Sequence, residues 1–367
     1  MSSWGSRFLV TFAVASIALS AGCASSVTGE PVAAPGAEEQ AKKAKGKIDA
    51  GSGPVTGLGG TELAARKDLD PCALFPKEHQ DKLGKPSKYV GGATKVDLCV
   101  VGIEVWDGDG PQESEDGKPA PTLGVVDIEL DASMFFQDED RASTGSRGKL
   151  TKEQRDDVTV YSGEEKRICT RRLVFKDKSM VNIEVTTRNN DTRAEPCESA
   201  ETVVSSVLKV LRSGPVARRT LPANSLLGID VCGLVSPDAV TAALGATPPR
   251  HPGLGFRGCM WSADPKSIKT ETLAINVTTN LIPRAGDQMV KEIAPIAGRP
   301  STTTQLPFAI PGAPIPCTVE VTHIPFEPVP GKKETLSVMV VSSAGAEASC
   351  QKARAAAEVI APKLPAM

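Results

Sequence analysis

The stretches DLDPCALFP (Asp68–Pro76) and GIDVCGLVSP (Gly228–Pro237) carry the same Asp-x-Cys motif 160 residues apart. Apart from Cys23, the cysteines form two sets of four, and each set begins at one of these motifs. The residues between successive cysteines number 26, 69 and 27 in the first set and 26, 57 and 32 in the second. Matching intervals indicate an internal duplication. The sequence therefore predicts two tandem homologous domains, residues 68–213 and 220–367, here called the first and second repeat.

Both repeats show the same order of predicted elements. In the second repeat, Ser236 is placed to cap a short helix that has Pro237 at its first position and ends at Gly245. Alternating apolar residues predict strands at the second and third cysteines and after each of them. The fourth cysteine opens a final helix, and the first repeat shows an apolar stripe there, from Val203 to Leu211. We expect an α+β fold in which each repeat is an antiparallel sheet with helices on one face.

The eight cysteines of the repeats are expected to form disulfides, because the compact Cys-x2-Cys pairs of structural zinc sites are absent. Eight cysteines allow 105 connectivities, and only three of these pair both repeats internally and alike. Pairing the first cysteine with the second and the third with the fourth ties a helix start to a strand twice in each repeat. It also leaves the most variable interval outside any closed loop. The predicted bonds are Cys72–Cys99, Cys169–Cys197, Cys232–Cys259 and Cys317–Cys350.

The N-terminus has the pattern of a lipoprotein signal peptide. Arg7 precedes an apolar run, Phe8–Leu19, which is too short to span a hydrocarbon core of about 30 Å. Cys23 follows small residues in LSAGC, which is similar to a bacterial lipobox. We expect residues 1–22 to be removed and Cys23 to carry the lipid; the alternative is an ordinary secretory signal with an incidental cysteine.

Residues 23–67 are expected to form a flexible tether. They are rich in Ala, Gly, Pro and charge, and they contain no aromatic residue. Such a segment buries too little apolar area to offset the entropy of ordering it. The sequence thus predicts a protein held on the extracytoplasmic face of the cell membrane by its lipidated cysteine.

The composition excludes some functions. The net charge of -2 and the 4% of aromatic residues argue against nucleic acid as a partner. With only three histidines, His79, His251 and His323, and no nucleophile motif or phosphate-binding glycine loop, no catalytic residue, cofactor or metal is expected. The acidic stretch Asp107–Pro121 lacks the closing glutamate of a calcium loop and is interpreted as a solvated insertion.

Several other side chains have structural interpretations. Asp70 and Asp230 are expected to cap the turn or helix that starts near the neighbouring cysteine rather than to act as acid and base. Trp106 and Trp261 are interpreted as packing residues. The basic segment Lys166–Lys178 is interpreted as charge that protects an edge strand, with contact to anionic lipid or wall polymers as the alternative.

These motifs together resemble an actinobacterial envelope lipoprotein family that is catalogued as a domain of unknown function. The resemblance lies in the lipobox, the following CASSVTGEPV, the Asp-x-Cys motif, a short helix that ends in Leu-Gly and a Cys-x-Trp strand. The second repeat carries all the repeat motifs, in Asp230, Cys232, Leu244, Gly245, Cys259 and Trp261. The first repeat has Asp70, Cys72, Leu83, Gly84 and Cys99, with Val101 in place of the tryptophan. The resemblance implies an envelope lipoprotein and supplies no catalytic residues.

Two classes of function follow. The first is a non-enzymatic binding or sensor module of the cell envelope, whose partner is an envelope protein or a small ligand. Such a module would bind through an open surface or through the groove between the repeats, since pockets often form at domain interfaces. The alternative is a wall- or lipid-processing enzyme with a carboxylate-based site, which leaves no sequence signature.

Overall fold

The computed structural model describes residues 48–60, 62–87, 95–106, 122–134, 136–145, 148–188, 194–253, 255–265, 270–280, 290–305 and 314–367. The expected signal peptide, Cys23, the expected tether as far as residue 47 and the acidic stretch 107–121 lie outside these residues. None of the described helices combines the length and the apolar composition needed to cross a membrane.

The first repeat and the segment before it contain four helices and nine strands among the described residues. The helices are α1 (Leu63–Arg66), α2 (Lys77–Leu83), α3 (Glu139–Ser143) and α4 (Pro196–Ser213). The strands are β1 (Gly84–Ser87), β2 (Leu98–Trp106), β3 (Thr122–Asp131), β4 (Thr144–Gly145), β5 (Gly148–Lys149), β6 (Thr151–Arg155), β7 (Val158–Glu165), β8 (Ile168–Val174) and β9 (Met180–Thr187).

The second repeat contains two helices and seven strands among the described residues. The helices are α5 (Pro237–Leu244) and α6 (Ala346–Ile360). The strands are β10 (Arg250–Pro252), β11 (Gly258–Ser262), β12 (Thr272–Asn280), β13 (Val290–Ile293), β14 (Ser301–Gln305), β15 (Pro316–Pro325) and β16 (Lys333–Val341).

The two repeats fold into sheets with the same strand order. The first sheet runs β1-β2-β3-β9-β8-β7-β6 and the second runs β10-β11-β12-β16-β15-β14-β13, and all neighbours are antiparallel. The long helices α4 and α6 pack on one face of their sheets, where alternate apolar residues of the central strands form two cores. This confirms the expected α+β class.

The short helix α3 lies on the opposite face of the first sheet. Neighbouring residues of a strand point to opposite faces, and on β8 Arg171 reaches Glu201 of α4 at 2.6 Å whereas Arg172 donates to the Ala142 carbonyl of α3 at 2.9 Å. A small second cluster of buried apolar residues accompanies α3.

Local signals at the start of each repeat fold as expected. The carboxylates of Asp70 and Asp230 accept the backbone N–H groups of Cys72 and Cys232 at 3.1 and 3.0 Å, and each opens a short 3-10 helix. The Ser236 hydroxyl accepts the N–H of Ala239 and so caps α5, which ends at Gly245 in the left-handed conformation. These contacts confirm the expected capping.

The structure contains four disulfides, and each closes within one repeat. They join Cys72 to Cys99, Cys169 to Cys197, Cys232 to Cys259 and Cys317 to Cys350, which is the pairing that the cysteine spacing predicts. Cys197 stands in the first turn of α4 as expected, but α6 starts four residues before Cys350.

The expectation of a flexible tether as far as residue 67 is wrong for its last part. Residues 48–60, here called the strap, lie along the first repeat and bury Ile48, Val55 and Leu58. The Asp177 carboxylate accepts the N–H groups of Gly59 and Gly60 at 3.0 and 2.6 Å. The Arg212 guanidinium donates to three strap carbonyls, those of Ala50, Gly51 and Gly53.

The interpretation of Lys166–Lys178 as a protected edge strand is also wrong. Strand β8 lies between β7 and β9 in the interior of the sheet. Arg171 and Arg172 are buried, and Arg171 pairs with Glu164 and Glu201 at 2.7 and 2.6 Å. These two arginines therefore hold the sheet and its covering helices together and do not face a lipid or polymer surface.

Candidate functional site

The two repeats are joined through a buried ion pair. Arg257, before β11, binds Asp97, before β2, through two hydrogen bonds: Nε to Oδ2 at 2.6 Å and Nη2 to Oδ1 at 2.9 Å. Both side chains are at most 5% exposed. Arg257 also donates to the carbonyls of Leu227 and Lys67, at 2.8 and 2.6 Å. A buried ion pair is tolerated when its remaining donors are satisfied, and this arginine also binds the segments at Lys67 and Leu227.

An aromatic ring and a second arginine complete this joint. The Phe256 ring lies 4.3 Å from the Arg66 guanidinium carbon and 4.8 Å from that of Arg257. Arg66 is fully buried and donates to the carbonyls of Ala132 and Met134, and burial lowers its pKa to about 10. Cations over an aromatic face are stabilised by the ring quadrupole. The last residues before the first repeat thus belong to the joint.

The linker between the repeats adds a third contact. Leu69 and Arg218 form an antiparallel bridge, and the Arg219 guanidinium donates to the Val96 carbonyl at 2.8 Å. Arg219 also lies over the Phe326 ring at 5.5 Å. The Val96 side chain, from the first repeat, is buried in the core of the second. The joint is therefore packed and hydrogen-bonded on several sides.

A cleft of about 450 Å³ opens beside this joint and is lined by residues of both repeats. This is the volume range of small-molecule sites in proteins. We call it the joint cleft. The first repeat supplies Lys95, Val96, Asp97, Ser133 and Met134, and the second supplies Gly255, Arg257, Asn276, Val277, Thr278 and Glu320.

Some polar groups of the joint cleft are already bound within the protein, and others make no hydrogen bond to the described residues. Asp97 is bound by Arg257, and Lys95 pairs with Asp131 at 2.6 Å. The Thr278 hydroxyl is buried and has no hydrogen-bond partner in the described residues. The Asn276 side-chain amide likewise makes no hydrogen bond to the described part of the chain. The residues that line the cleft therefore include a hydroxyl and an amide, both uncharged, to which no group of the described chain is hydrogen-bonded.

The three histidines are placed as structural residues. His79 is buried and its Nδ1 lies 2.7 Å from the Ser206 hydroxyl, which donates to the Leu74 carbonyl at 3.0 Å. This serine is buried and its proton is already committed, so the pair is not an activated nucleophile. Burial lowers the pKa of His79. His251 lies at the edge strand β10 and binds the Ser262 carbonyl at 2.9 Å.

The third histidine is fixed by an arginine. Arg299 Nη1 lies 2.6 Å from His323 Nδ1, and His323 Nε2 lies 2.6 Å from the Asn224 carbonyl. An arginine can only donate, so Nδ1 accepts and the ring is neutral, with its proton on Nε2. Burial lowers the pKa of His323, in keeping with this arrangement.

One pair of carboxylates lies on the face of the first sheet that is opposite α4. Glu129 of β3 is directly opposite Glu184 of β9, and both are half-buried. Burial, and next the Glu184 carboxylate, raise the pKa of Glu129. A carboxyl group with a raised pKa beside a second carboxylate is an arrangement that acid–base catalysis uses.

The predicted site residues and the observed cleft are only partly connected. Asp70 and Asp230 each line a separate cleft, and Trp106 and Trp261 are buried packing residues as expected. The basic residues that form the joint, Arg66, Arg219 and Arg257, were not singled out by sequence reasoning. The one usable signal is positional: Asp97 and Arg257 each stand two residues before the second cysteine of a repeat.

The fold and the joint define a class, namely a two-repeat, disulfide-bonded α+β protein with a ligand-sized cleft between its repeats. Comparison with known families adds that residues 212–363 match a family described as a protein of unknown function (DUF3558). The match covers nearly all of the second repeat. No curated protein and no solved structure matches the chain.

Proposed function

We propose that this protein is a membrane-anchored extracytoplasmic lipoprotein of the actinobacterial cell envelope, and that it binds a small ligand in the joint cleft without transforming it. The first repeat is in this view a diverged second copy of the family domain matched by the second repeat. Support comes from the shared strand order, the shared cysteine spacing and the equivalent aspartate caps. A sensor role is one form of such a binding module.

The proposed anchor is the thiol of Cys23. Its support is the apolar run Phe8–Leu19 and the lipobox-like LSAGC. Two or more acyl chains on one cysteine give stable attachment, because each buried methylene contributes about 0.8 kcal/mol. Metabolic labelling with palmitate should mark the wild type and not Cys23→Ala. Partition of the wild type entirely into the aqueous phase of a detergent separation contradicts the anchor.

The observation that carries ligand binding is the buried, unpartnered Thr278 hydroxyl in a cleft that both repeats line. An unsatisfied buried polar atom costs stability, and a ligand that hydrogen-bonds to it recovers that cost. Val96, Met134 and Val277 give the same cleft apolar contacts. Since Asp97 and Lys95 are already paired, the chemistry favours a neutral ligand with one hydrogen-bonding face and one apolar face.

The test is retention of a ligand by the folded chain. Purified protein is incubated with an envelope extract, washed and examined by native mass spectrometry. Thr278→Val, which replaces the hydroxyl by a methyl group of similar size, is run beside it. Thr186→Val, a half-buried strand threonine of the first sheet, is the matched control. Wild type and control should retain one neutral species that Thr278→Val loses. Retention of nothing, or equal retention by all three, contradicts the proposal.

The second candidate is an enzyme that uses the Glu129–Glu184 pair. It is favoured by one observation, the raised pKa of Glu129 beside a second carboxylate. Glycoside hydrolysis uses two carboxyl groups, one of them with a raised pKa. Turnover of a wall glycan or lipid ester that is abolished by Glu129→Gln, with folding intact, establishes this candidate in place of the binding module.

A further inference from the structure

Asp70 and Asp230 hold the same place in their repeats. Each is two residues before the first cysteine, caps a short 3-10 helix and stands beside the disulfide to the second strand of its sheet. Each also lines a cleft, of about 380 Å³ at Asp70 and about 350 Å³ at Asp230. We call these places the first corner and the second corner. The first corner therefore shows which contacts such a corner can make.

The first corner is occupied by the chain's own linker. The Asp70 N–H donates to the Ala217 carbonyl at 3.3 Å, and the Arg219 N–H donates to the Asp68 carbonyl at 2.6 Å. An extended segment is thereby paired with residues 68–70, as a short antiparallel bridge. Its Arg219 side chain, 10% exposed, places Nε 3.6 Å from the Asp70 carboxylate. At the first corner, the Asp70 N–H thus binds the linker backbone and the Asp70 carboxylate lies beside the Arg219 side chain.

The second corner has the same groups and no such occupant. Among the described residues, the Asp230 carboxylate accepts only the Cys232 N–H and enters no ion pair. The Asp230 N–H, whose counterpart in the first repeat binds Ala217, has no partner in the described part of the chain. The cleft beside it is bounded by Pro252, the Phe256 ring and the exposed Arg250 of β10.

We propose that the second corner is a docking site for an extended peptide segment of a partner protein, with an arginine of that segment on Asp230 as Arg219 is on Asp70. The interaction combines main-chain pairing with one ion pair, as at the first corner, and main-chain hydrogen bonds are what give bound extended peptides their affinity. Arg250 faces the same cleft and has no ion pair among the described residues. Because Arg250 repels further positive charge, a second arginine in the segment should add nothing to binding.

The chain supplies its own probe. A capped peptide with the linker sequence GPVARRTLP, Gly214–Pro222, carries the arginine that fills the first corner. Added to the whole protein, it does not displace the linker, whose effective concentration is far higher. The probe also has an internal control. Arg218 pairs with Asp68 at 2.7 Å, and the residue equivalent to Asp68 in the second repeat is Gly228.

Titration calorimetry of the full chain with this peptide should give saturable binding of one peptide per protein. Replacement of Arg219 by alanine in the peptide should weaken binding about two- to fivefold, the upper part of the range for an exposed charge pair. Replacement of Arg218 should change little. In the protein, Asp230→Asn should weaken binding to the same degree, and Asp238→Asn, an exposed carboxylate on α5, should not.

A charge exchange separates docking from a folding defect. Asp230→Lys should lose the peptide and regain binding to a peptide with Glu in place of Arg219, while disulfide mapping and circular dichroism stay as in the wild type. No saturable binding of the parent peptide at millimolar concentration overturns the proposal. Equal binding by wild type and Asp230→Asn overturns it as well, because the peptide then docks elsewhere.

Discussion

Asp97 and Arg257 stand at the same position of their repeats, two residues before the second cysteine, and their side chains bind each other across the joint. Positions that correspond in cysteine spacing thus carry opposite charges in the two repeats. Two copies with the same residue there would bring like charges together in a buried place, which is strongly unfavourable. The difference between the repeats at this position is therefore what lets one repeat pack against the other.

Removal of either partner of this pair should destabilise the protein. Asp97→Asn leaves Arg257 buried without a counter-charge, and we expect a loss of about 3–5 kcal/mol in the free energy of unfolding. Urea denaturation measures it. Asp68→Asn, at the more exposed pair with Arg218, should cost no more than about 1 kcal/mol. The double variant Asp97→Leu/Arg257→Leu should cost less than the sum of its single variants, and additive losses would contradict the direct coupling.

His323 should make the protein less stable in mild acid. Its folded pKa lies below the ordinary value of 6.5, chiefly because of burial, so the unfolded chain binds the proton more tightly. The stability contributed by the neutral ring is fully present above pH 6.5 and is lost as the pH falls from there through the lowered folded pKa. We expect His323→Gln to show a shallower fall in unfolding free energy between about pH 7 and pH 5. Parallel curves for the two proteins would exclude this role.

Gly258 should not tolerate a side chain. A Cβ at this position would lie 1.8 Å from the Asn276 Oδ1 and 2.6 Å from the Ile275 carbonyl oxygen, which is strand backbone. Gly258→Ala should therefore lower the unfolding free energy by about 1–3 kcal/mol and move Asn276, a residue of the joint cleft. Gly228→Ala is the matched control, because nothing lies within 4 Å of its Cβ. Thermal unfolding of both variants decides the matter, and equal midpoints would refute the clash.

The strap should depend on Asp177. This carboxylate accepts the N–H groups of Gly59 and Gly60 and of Ser179, so Asp177→Ala leaves several donors unsatisfied. We expect faster amide hydrogen exchange at Gly59 and Gly60, and a loss of about 1–3 kcal/mol in stability. Asp156→Ala, whose carboxylate is 79% exposed beside Arg212, should leave exchange there unchanged. Unaltered exchange in Asp177→Ala would mean that apolar contacts alone hold the strap.

The features that sequence reasoning predicted correctly depend on local sequence or on a repeated spacing. The cysteine pairing, the Ser236 cap and the aspartate caps each depend on residues close together in the chain or on a repeated spacing. Only about four strands per repeat were predicted, against seven in each sheet. The edge strand β6, Thr151–Arg155, consists of exposed polar residues, so it has no apolar alternation to detect.

The strap and the joint were beyond sequence reasoning for a physical reason. Ile48, Val55 and Leu58 follow no helical or strand period, and they become buried only because the first sheet provides a surface. Asp97 and Arg257 are ordinary charged residues until the fold brings them together from positions 160 residues apart. In the sequence, Thr278 looks like any other strand threonine. Only the folded structure shows that its hydroxyl is buried without a partner in the described residues.

The disulfides stabilise each repeat separately and do not link the two repeats. Each of the four disulfides in the described residues closes a loop inside one repeat, and the linker's main chain connects the two repeats covalently. The two kinds of bond therefore act in different places. Covalent cross-links tie strands to helical segments inside each repeat, whereas noncovalent contacts at Asp97, Arg257 and Phe256 hold the repeats to each other.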